Sequence, residues 1–468
     1  MKIHFVGIGG IGMSALAQLH AMAGDEVTGS DRLINKGFTG LPIWKELKKL
    51  GVRIYPQDGS GIAEDTDAVI LTSAIEPDNV EIQAAKKYSI PILHRSDLLA
   101  KHVKESKTIA ISGTSGKSTT TAMLFEILRK AGKEPSLITG GVLLSLQQEG
   151  YFGNVYKGKS DILVIEADES DGTLVNYHPK IGVMLNLAKD HKELDILKGY
   201  FKKFSINCDK FIINAEEENL KEIGGKCKTF GLKTGDLTAE NLQLDGFGSN
   251  FTVQGQSFRI NLPGEHYVKD ALGAISAALE LGVTLEQCSK ALEEFKGVYR
   301  RFNTIGKTDG VEVIDDFAHN PHKLAATLKA AHLRGKRVLA FFQPHAFTSV
   351  QLLLKEFIEE FTRQIKKDDI LWLSEIYYAG GTIPEHISSK LIFEGLKHNG
   401  VPVKFLPCRN ETAADIAAAA KPGDVVLVMG ARDPTLTDFA KQIFRAIKDK
   451  DYSKKPCRQC LMNVDKKF

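Results

Sequence analysis

Cysteine is scarce in this chain. Six occur among 468 residues, at positions 208, 227, 288, 408, 457 and 460. That is too few, and too scattered, for the disulfide framework of a small secreted domain. Cys457 and Cys460 form the one close pair, inside a charged tail that runs from Asp449 to Phe468. A structural zinc site needs about four ligands, so the pair reads as part of a loose tail. No apolar run approaches the roughly 18–20 residues that span a bilayer. The opening Met1–Val6 reads as a strand and not as a targeting peptide. An excess of one charge is also missing. Sixty-one basic residues face 58 acidic ones, a formal net charge of +3, which argues against a broad nucleic-acid-binding face. Internal repeats and low-complexity tracts are absent. These absences predict a cytoplasmic protein with no nucleic-acid partner and no membrane span.

What is present is apolar residues enough for several cores, 43% of the chain, at a length that suits two to four domains. The most informative segment is residues 107–121, KTIAISGTSGKSTTT. An apolar strand, Thr108 to Ile111, runs into Gly113-Thr114-Ser115-Gly116-Lys117-Ser118-Thr119, and a helical stretch follows to about Lys130. This is how a chain cradles phosphate: glycines let backbone N–H groups approach the oxyanions, and the helix N-terminus adds partial positive charge. Lys117 is placed to neutralise β/γ-phosphates and the Ser118 hydroxyl to coordinate Mg²⁺. Only two residues separate the glycines, against four in the standard pattern.

Around this loop the chain divides into three β/α blocks. The first opens with the strand Ile3 to Val6, the loop Gly7-Ile-Gly9-Gly10-Ile-Gly12, and a helix from Met13 to Ala23. A second strand, Glu26 to Gly29, ends at Asp31. This has the form of a dinucleotide fingerprint, and its backbone donors suit NAD or a uridine diphosphate group equally. In the second block, strand Ile162 to Glu166 ends in an acid cluster that includes Asp168, Glu169, Ser170 and Asp171. Strand Ile181 to Leu187 ends before Asp190-His191. Ligands of open α/β sheets gather at the carboxyl ends of strands, so three such ends converge. Glu166 is a candidate Mg²⁺ ligand and His191 a candidate for a second metal. Residues 238–262 read as short antiparallel strands. The third block follows Arg300-Arg301-Phe302, where an arginine can clamp a transferring phosphoryl group. It continues through strands 311–315, 337–342, 370–373 and 425–429, with helices over 322–331, 349–365 and 413–420. In Asp315-Asp316-Phe-Ala-His319, Asp316 and His319 are expected to face the nucleotide.

These strings, in this order, resemble the Mur ligases of bacterial cell-wall synthesis over about residues 1–445. The matching segments are His4–Ser14, Thr72–Ile75, Gly113–Thr119, Glu166–Asp171, Asp190-His191, Pro263–His266, Arg300–Phe302, Asp315–His319 and Phe342–His345. The resemblance implies an α/β fold with three domains. Residues 1–104 would form a Rossmann-like UDP-sugar domain, and 105–303 a central P-loop ATPase-type domain. Residues 304–448 would form a Rossmann-like acceptor domain, with 449–468 as the tail. It also implies an ATP- and Mg²⁺-dependent carboxylate–amine ligase of peptidoglycan synthesis, working through an acyl phosphate as monomer or homodimer. Its partners would be UDP-N-acetylmuramate and an amino acid, L-alanine first, or a short murein peptide.

By similarity, Gly9, Gly10, Gly12, Asp31 and Ser73 line the UDP-sugar site. Glu169, Ser170 and His345 meet substrate, and Ser118, Glu166 and His191 hold metal. Lys117, His191, Arg301, Asp316 and His319 carry the chemistry, and His266 lies by the nucleotide. Departures from the family pattern stand at Tyr267 and Asp270, where asparagines are usual. Others stand at Ala346 and Ser349, where alanine-adding members carry the arginines that hold the acceptor carboxylate. Arg432 is a candidate replacement. A reading of another class, a non-catalytic nucleotide-binding or NAD-sensing protein, leaves the acid cluster unexplained.

Overall fold

The computed structural model of the chain describes residues 1–72, 75–169, 172–188, 193–223, 227–378, 387–407 and 409–452. The first block is a parallel five-stranded sheet with Lys2–Val6 at its centre. Glu26–Ser30 and Arg53–Tyr55 lie on one side of it, Ala68–Leu71 and Ile92–His94 on the other. The order reverses beside the central strand, and that is where an open α/β sheet leaves a crevice for ligand. Lys2–Val6 is buried over its last four residues, as a strand covered on both faces must be.

The helix Arg95–Glu105 leads from this sheet into the central one. Its Leu98, Leu99 and Val103 share an apolar cluster with Ala110, Leu163 and Ile165 of the next domain. Polar ties reinforce the junction. Gln18 Nε2 donates to Asn154 Oδ1 at 3.1 Å, and Asn154 Nδ2 donates to the Ile11 carbonyl at 3.2 Å.

The central sheet has eight strands, and its middle carries the site. Ile181–Met184, Lys107–Ser112 and Ile162–Glu166 lie side by side and parallel. The helix Lys117–Lys130 is buried from Ser118 through Leu128, so it sits inside the domain. It packs against the helix Glu265–Leu279, which in turn lies close on the sheet. A Cβ at Gly273 would lie 3.0 Å from Leu185 Cδ2. The expected antiparallel strands are Glu240–Asp245, Gly248–Val253 and Gln256–Ile260, a separate three-stranded sheet.

The third sheet runs in the order Asn303–Thr308, Val311–Asp316, Asp424–Met429, Arg337–Phe342, Ile370–Leu373, Val403–Phe405. Only the Asn303–Thr308 pairing is antiparallel. One expectation differs here. The helix over 349–365 is two helices, Phe347–Leu352 and Leu354–Gln364. Leu353 leaves helical geometry at φ −114° and ψ 16°, with its side chain 3% exposed. Burial of that leucine is worth about 1.5–3 kcal/mol, and its N–H still donates to the Ser349 carbonyl at 3.0 Å. Neither Pro nor Gly marks the break, so composition gave no sign of it.

Candidate active site

Between Ser112 and Lys117 the backbone turns through two positive-φ glycines, Gly113 at +130° and Gly116 at +85°, a conformation that L side chains resist. The turn is fastened from the neighbouring strand. Ser115 N donates to Asn186 Oδ1 at 2.8 Å, Asn186 Nδ2 donates to the Ser115 carbonyl at 2.9 Å, and the Thr114 hydroxyl donates to the Ala188 carbonyl at 3.1 Å. Gly116 caps the following helix without a side-chain bond. Its first N–H groups are therefore available to an anion.

Lys117 folds back across the loop. Its Nζ donates to the Gly113 carbonyl and to Glu169 Oε2, both at 2.7 Å. Burial opposes its charge, but Glu169, Asp168 and Glu166 outweigh burial and raise its pKa, so the ammonium stays charged. Ser118 Oγ lies 3.0 and 3.1 Å from the two oxygens of Glu166. Glu166 Oε2 also accepts from Thr139 Oγ1 at 2.8 Å and from Gly140 N at 2.9 Å. A hydroxyl facing an oriented carboxylate is an oxygen donor set that suits a hard divalent cation. Among the described residues no group of three or more His, Cys, Asp or Glu side chains stands ready to hold a metal. His191, Ser170 and Ser73 lie outside the described residues, as do Asp190 and the Cys457/Cys460 pair.

From the junction with the third domain, Arg301 Nη2 reaches Ser118 Oγ at 3.4 Å. Its neighbour turns the other way. Arg300 is 6% exposed. It pairs with Asp315 at 3.2 Å and donates to the carbonyls of Gly430 at 2.7 Å and Ala431 at 3.0 Å. The alternation is possible because Arg300 and Phe302 both adopt positive φ, +57° and +53°.

Asp316 does not offer a free carboxylate to the nucleotide. Oδ2 accepts from Phe302 N at 2.7 Å, and Oδ1 from Ala318 N at 2.7 Å and Thr327 Oγ1 at 3.1 Å. These bonds make it the brace of the strained junction. His319 Nδ1 lies 2.9 Å from the Phe317 carbonyl, and its ring packs edge-on against His345 at 5.2 Å. Burial first, then Lys323 and His345, hold the His319 pKa well below its usual value. It is therefore neutral at pH 7. His266 is likewise neutral, pushed down to about 4 chiefly by burial.

At the first sheet's crevice, Gly9 N donates to Asp31 Oδ2 at 2.9 Å while Asp31 Oδ1 caps the next helix through Leu33 N at 2.9 Å. A Cβ at Gly9 would lie 2.4 Å from Trp44 Cη2, and one at Gly12 would lie 3.3 Å from Arg95 Nη1. Gly10 caps its helix with no side-chain bond. The loop is thus a bare backbone cradle with an arginine at its edge.

Comparison with known proteins decides what this arrangement belongs to. Residues 2–107 match the Mur ligase family catalytic domain, 111–278 the Mur ligase middle domain, and 300–432 the Mur ligase glutamate ligase domain. The UDP-N-acetylmuramate--L-alanine ligase of Dictyoglomus turgidum is 36% identical over 450 residues, 92% of this chain and 94% of that protein. The chain belongs to the Mur ligase family. The crystal structure of the UDP-N-acetylmuramate-alanine ligase MurC from Thermotoga maritima superposes with a TM-score of 0.77 at 30% identity. That match covers 96% of this chain and all of that one. A murein peptide ligase from Psychrobacter arcticus superposes at 0.68 with 25% identity, over 96% and 99% of the two chains.

Within this Mur ligase the structure adds residues that spacing did not reveal. Thr139 and Gly140 orient Glu166 from a loop far from it in sequence, and Asn186 locks the phosphate loop. At the third domain, Ala346 adopts φ +59° immediately before the helix that contains Ser349. The strand Asp424–Met429 ends near an exposed Arg432 and a buried Asp433, the latter 3.0 Å from Arg409.

Proposed function

We propose that this Mur ligase joins L-alanine to UDP-N-acetylmuramate at the expense of ATP. The observation that carries the reading is the meeting of Lys117, Ser118, Glu166 and Arg301 at one loop, with Arg301 arriving from the acceptor-domain junction. A carboxylate is a poor electrophile until one oxygen becomes a leaving group. Its oxygen attacks the γ-phosphorus of ATP and ADP departs. The acceptor amine then attacks the acyl carbon, phosphate departs, and the amine proton is lost to leave an amide.

Two anions must be held together for the first step, so positive charge at the phosphate loop governs the rate. Lys117 must exchange Glu169 and the Gly113 carbonyl for phosphate oxygens, and Arg301 is placed to follow the γ-phosphate across the domain junction. Ser118 and Glu166 would hold Mg²⁺, which supplies charge neutralisation on the phosphates. His191 is our candidate for a second ion. Gly9, Gly10, Gly12 and Asp31 form the crevice for the UDP group, and Ser73 is our further candidate contact to it. His266 packs against Tyr267 at 4.0 Å and is our candidate base contact. Glu169, Ser170 and His345 are our candidate substrate contacts, and His319 is placed beside His345 to act with it.

A peptide acceptor is the second reading, favoured by Ala346 and Ser349, neither of which can hold a carboxylate by charge. Phosphate release from ATP with UDP-N-acetylmuramate, across L-amino acids and a murein tripeptide, decides the matter. Release with L-alanine supports the first reading. Release with the peptide alone replaces it by the second. UDP-sugar binding without turnover on any acceptor overturns both.

A further inference from the structure

One carboxyl lies behind the phosphate loop without a part in the chemistry above. Asp270 sits in the helix Glu265–Leu279 and is 6% exposed. Its Oδ1 lies only 2.2 Å from where a Cβ on Gly116 would stand. The carboxyl is therefore packed directly against the left-handed residue that starts the phosphate-binding helix. Thr120 faces it from that helix, Lys269 and Tyr267 from its own, and Arg301 from the domain junction. Burial dominates and raises Asp270 to about 8, while Arg301, Thr120 and Lys269 pull in the other direction.

We propose that Asp270 positions the phosphate loop and takes up a proton from solvent when ATP binds, so that nucleotide loading and neutralisation of this one carboxyl are coupled. The inference rests on the ATP reading above. Its basis is that Arg301 links the buried carboxyl to the loop. The same guanidinium that offsets the Asp270 charge reaches Ser118, where phosphate must arrive. A polyphosphate draws on that guanidinium and adds negative charge a few ångströms from a buried carboxylate. Both changes favour the neutral acid. A neutral carboxyl also packs against Gly116 without repelling the incoming anion.

Linkage gives the sign. A group whose pKa rises on binding makes affinity fall as pH rises through the free protein's value, by at most tenfold per pH unit for one proton. Lys117 and Tyr267 are raised above that window and His266 lies near 4. Glu169 and Asp316 are also raised by burial, and Arg301 offsets the charge of Asp316 as well; the variant below separates Asp270 from both.

The test is ATP–Mg²⁺ binding by calorimetry between pH 6.5 and 9.5, in buffers of differing ionisation enthalpy. The intact protein should bind ATP with net proton uptake near pH 8.5 and lose about tenfold in affinity between pH 8 and 9.5. Asp270→Asn, which keeps the shape and donates like the neutral acid, should bind equally across the range with no such uptake. Asp270→Ala should bind weakly at every pH, and the contrast with Asn separates positioning from simple folding. Equal pH dependence in the intact protein and Asp270→Asn overturns the proposal and points to Glu169 or Asp316. No ATP binding by any variant, with native circular dichroism, overturns the ATP reading instead.

Discussion

Replacing Lys117 by Met separates what this residue does for the fold from what it does for the reaction. Its side chain is 10% exposed and that of its partner Glu169 5%. Removing one member of so buried a pair leaves the other uncompensated, which costs about 3–5 kcal/mol. In a domain of 150–250 residues each kcal/mol moves the melting temperature by roughly 2–4 °C. Thermal unfolding of Lys117→Met should therefore fall by on the order of 6–20 °C. The deficit must depend on pH. Burial raises the pKa of Glu169. With its partner gone, the penalty is absent below the unfolded carboxyl pKa and grows as pH rises through the higher folded value. Melting measured at pH 5 and at pH 8 should show the smaller loss at pH 5. The double variant Lys117→Met/Glu169→Gln should recover most of the stability at pH 8, because no buried charge remains. It should recover none of the activity, because phosphate still meets no ammonium. Loss of one such charge costs about 10²–10³ in kcat. Phosphate release provides the assay for both variants, and UDP-sugar binding by calorimetry should be unchanged in Lys117→Met. If the double variant turns over like the parent, Lys117 is a structural lysine and the catalytic centre lies elsewhere.

Other perturbations probe the remaining pieces. Gly9→Ala drives a methyl into the buried Trp44 indole and Asp31. It should weaken UDP-sugar binding at least tenfold by calorimetry and cost about 1–3 kcal/mol by overpacking, while leaving ATP binding intact. Arg300→Met strands Asp315, which is fully buried. Denaturant unfolding should show a loss of about 3–5 kcal/mol with ATP affinity unchanged, whereas Arg301→Met should lower kcat. Thr139→Ala removes one of the donors that orient Glu166. The Mg²⁺ concentration giving half-maximal activity should rise several-fold at unchanged saturating rate.

Much of the fold was legible because its strands are buried on both faces and its turns are made by glycine. Ile3–Val6, Ile162–Glu166 and Val425–Met429 are near-continuous apolar runs, and each is a central strand. The turn through Gly113 and Gly116 was legible because backbone conformation there demands glycine. The broken helix at Leu353 was not, because apolar periodicity continues unaltered across the break. Asp316 reads in sequence like a site acid at a strand end. Its three hydrogen-bond donors come from Phe302, Ala318 and Thr327, and the strained Phe302 that it braces is not visible in composition.

Residue type and order by themselves determined the succession of β/α units, the glycine turn before the helix Lys117–Lys130, and membership of an ATP-dependent ligase family. These depend on local conformation and on chemistry that few residue types supply. Tertiary structure alone decided how the two adjacent arginines divide their work. Arg300 is buried as a strut of the third domain, and Arg301 is turned toward Ser118. It also decided that Asp270 lies against Gly116, 154 positions away along the chain. The reason is physical. A side chain's charge acts through space over a few ångströms, and which charges come that close is set by packing between helices and domains, which spacing along the chain does not encode.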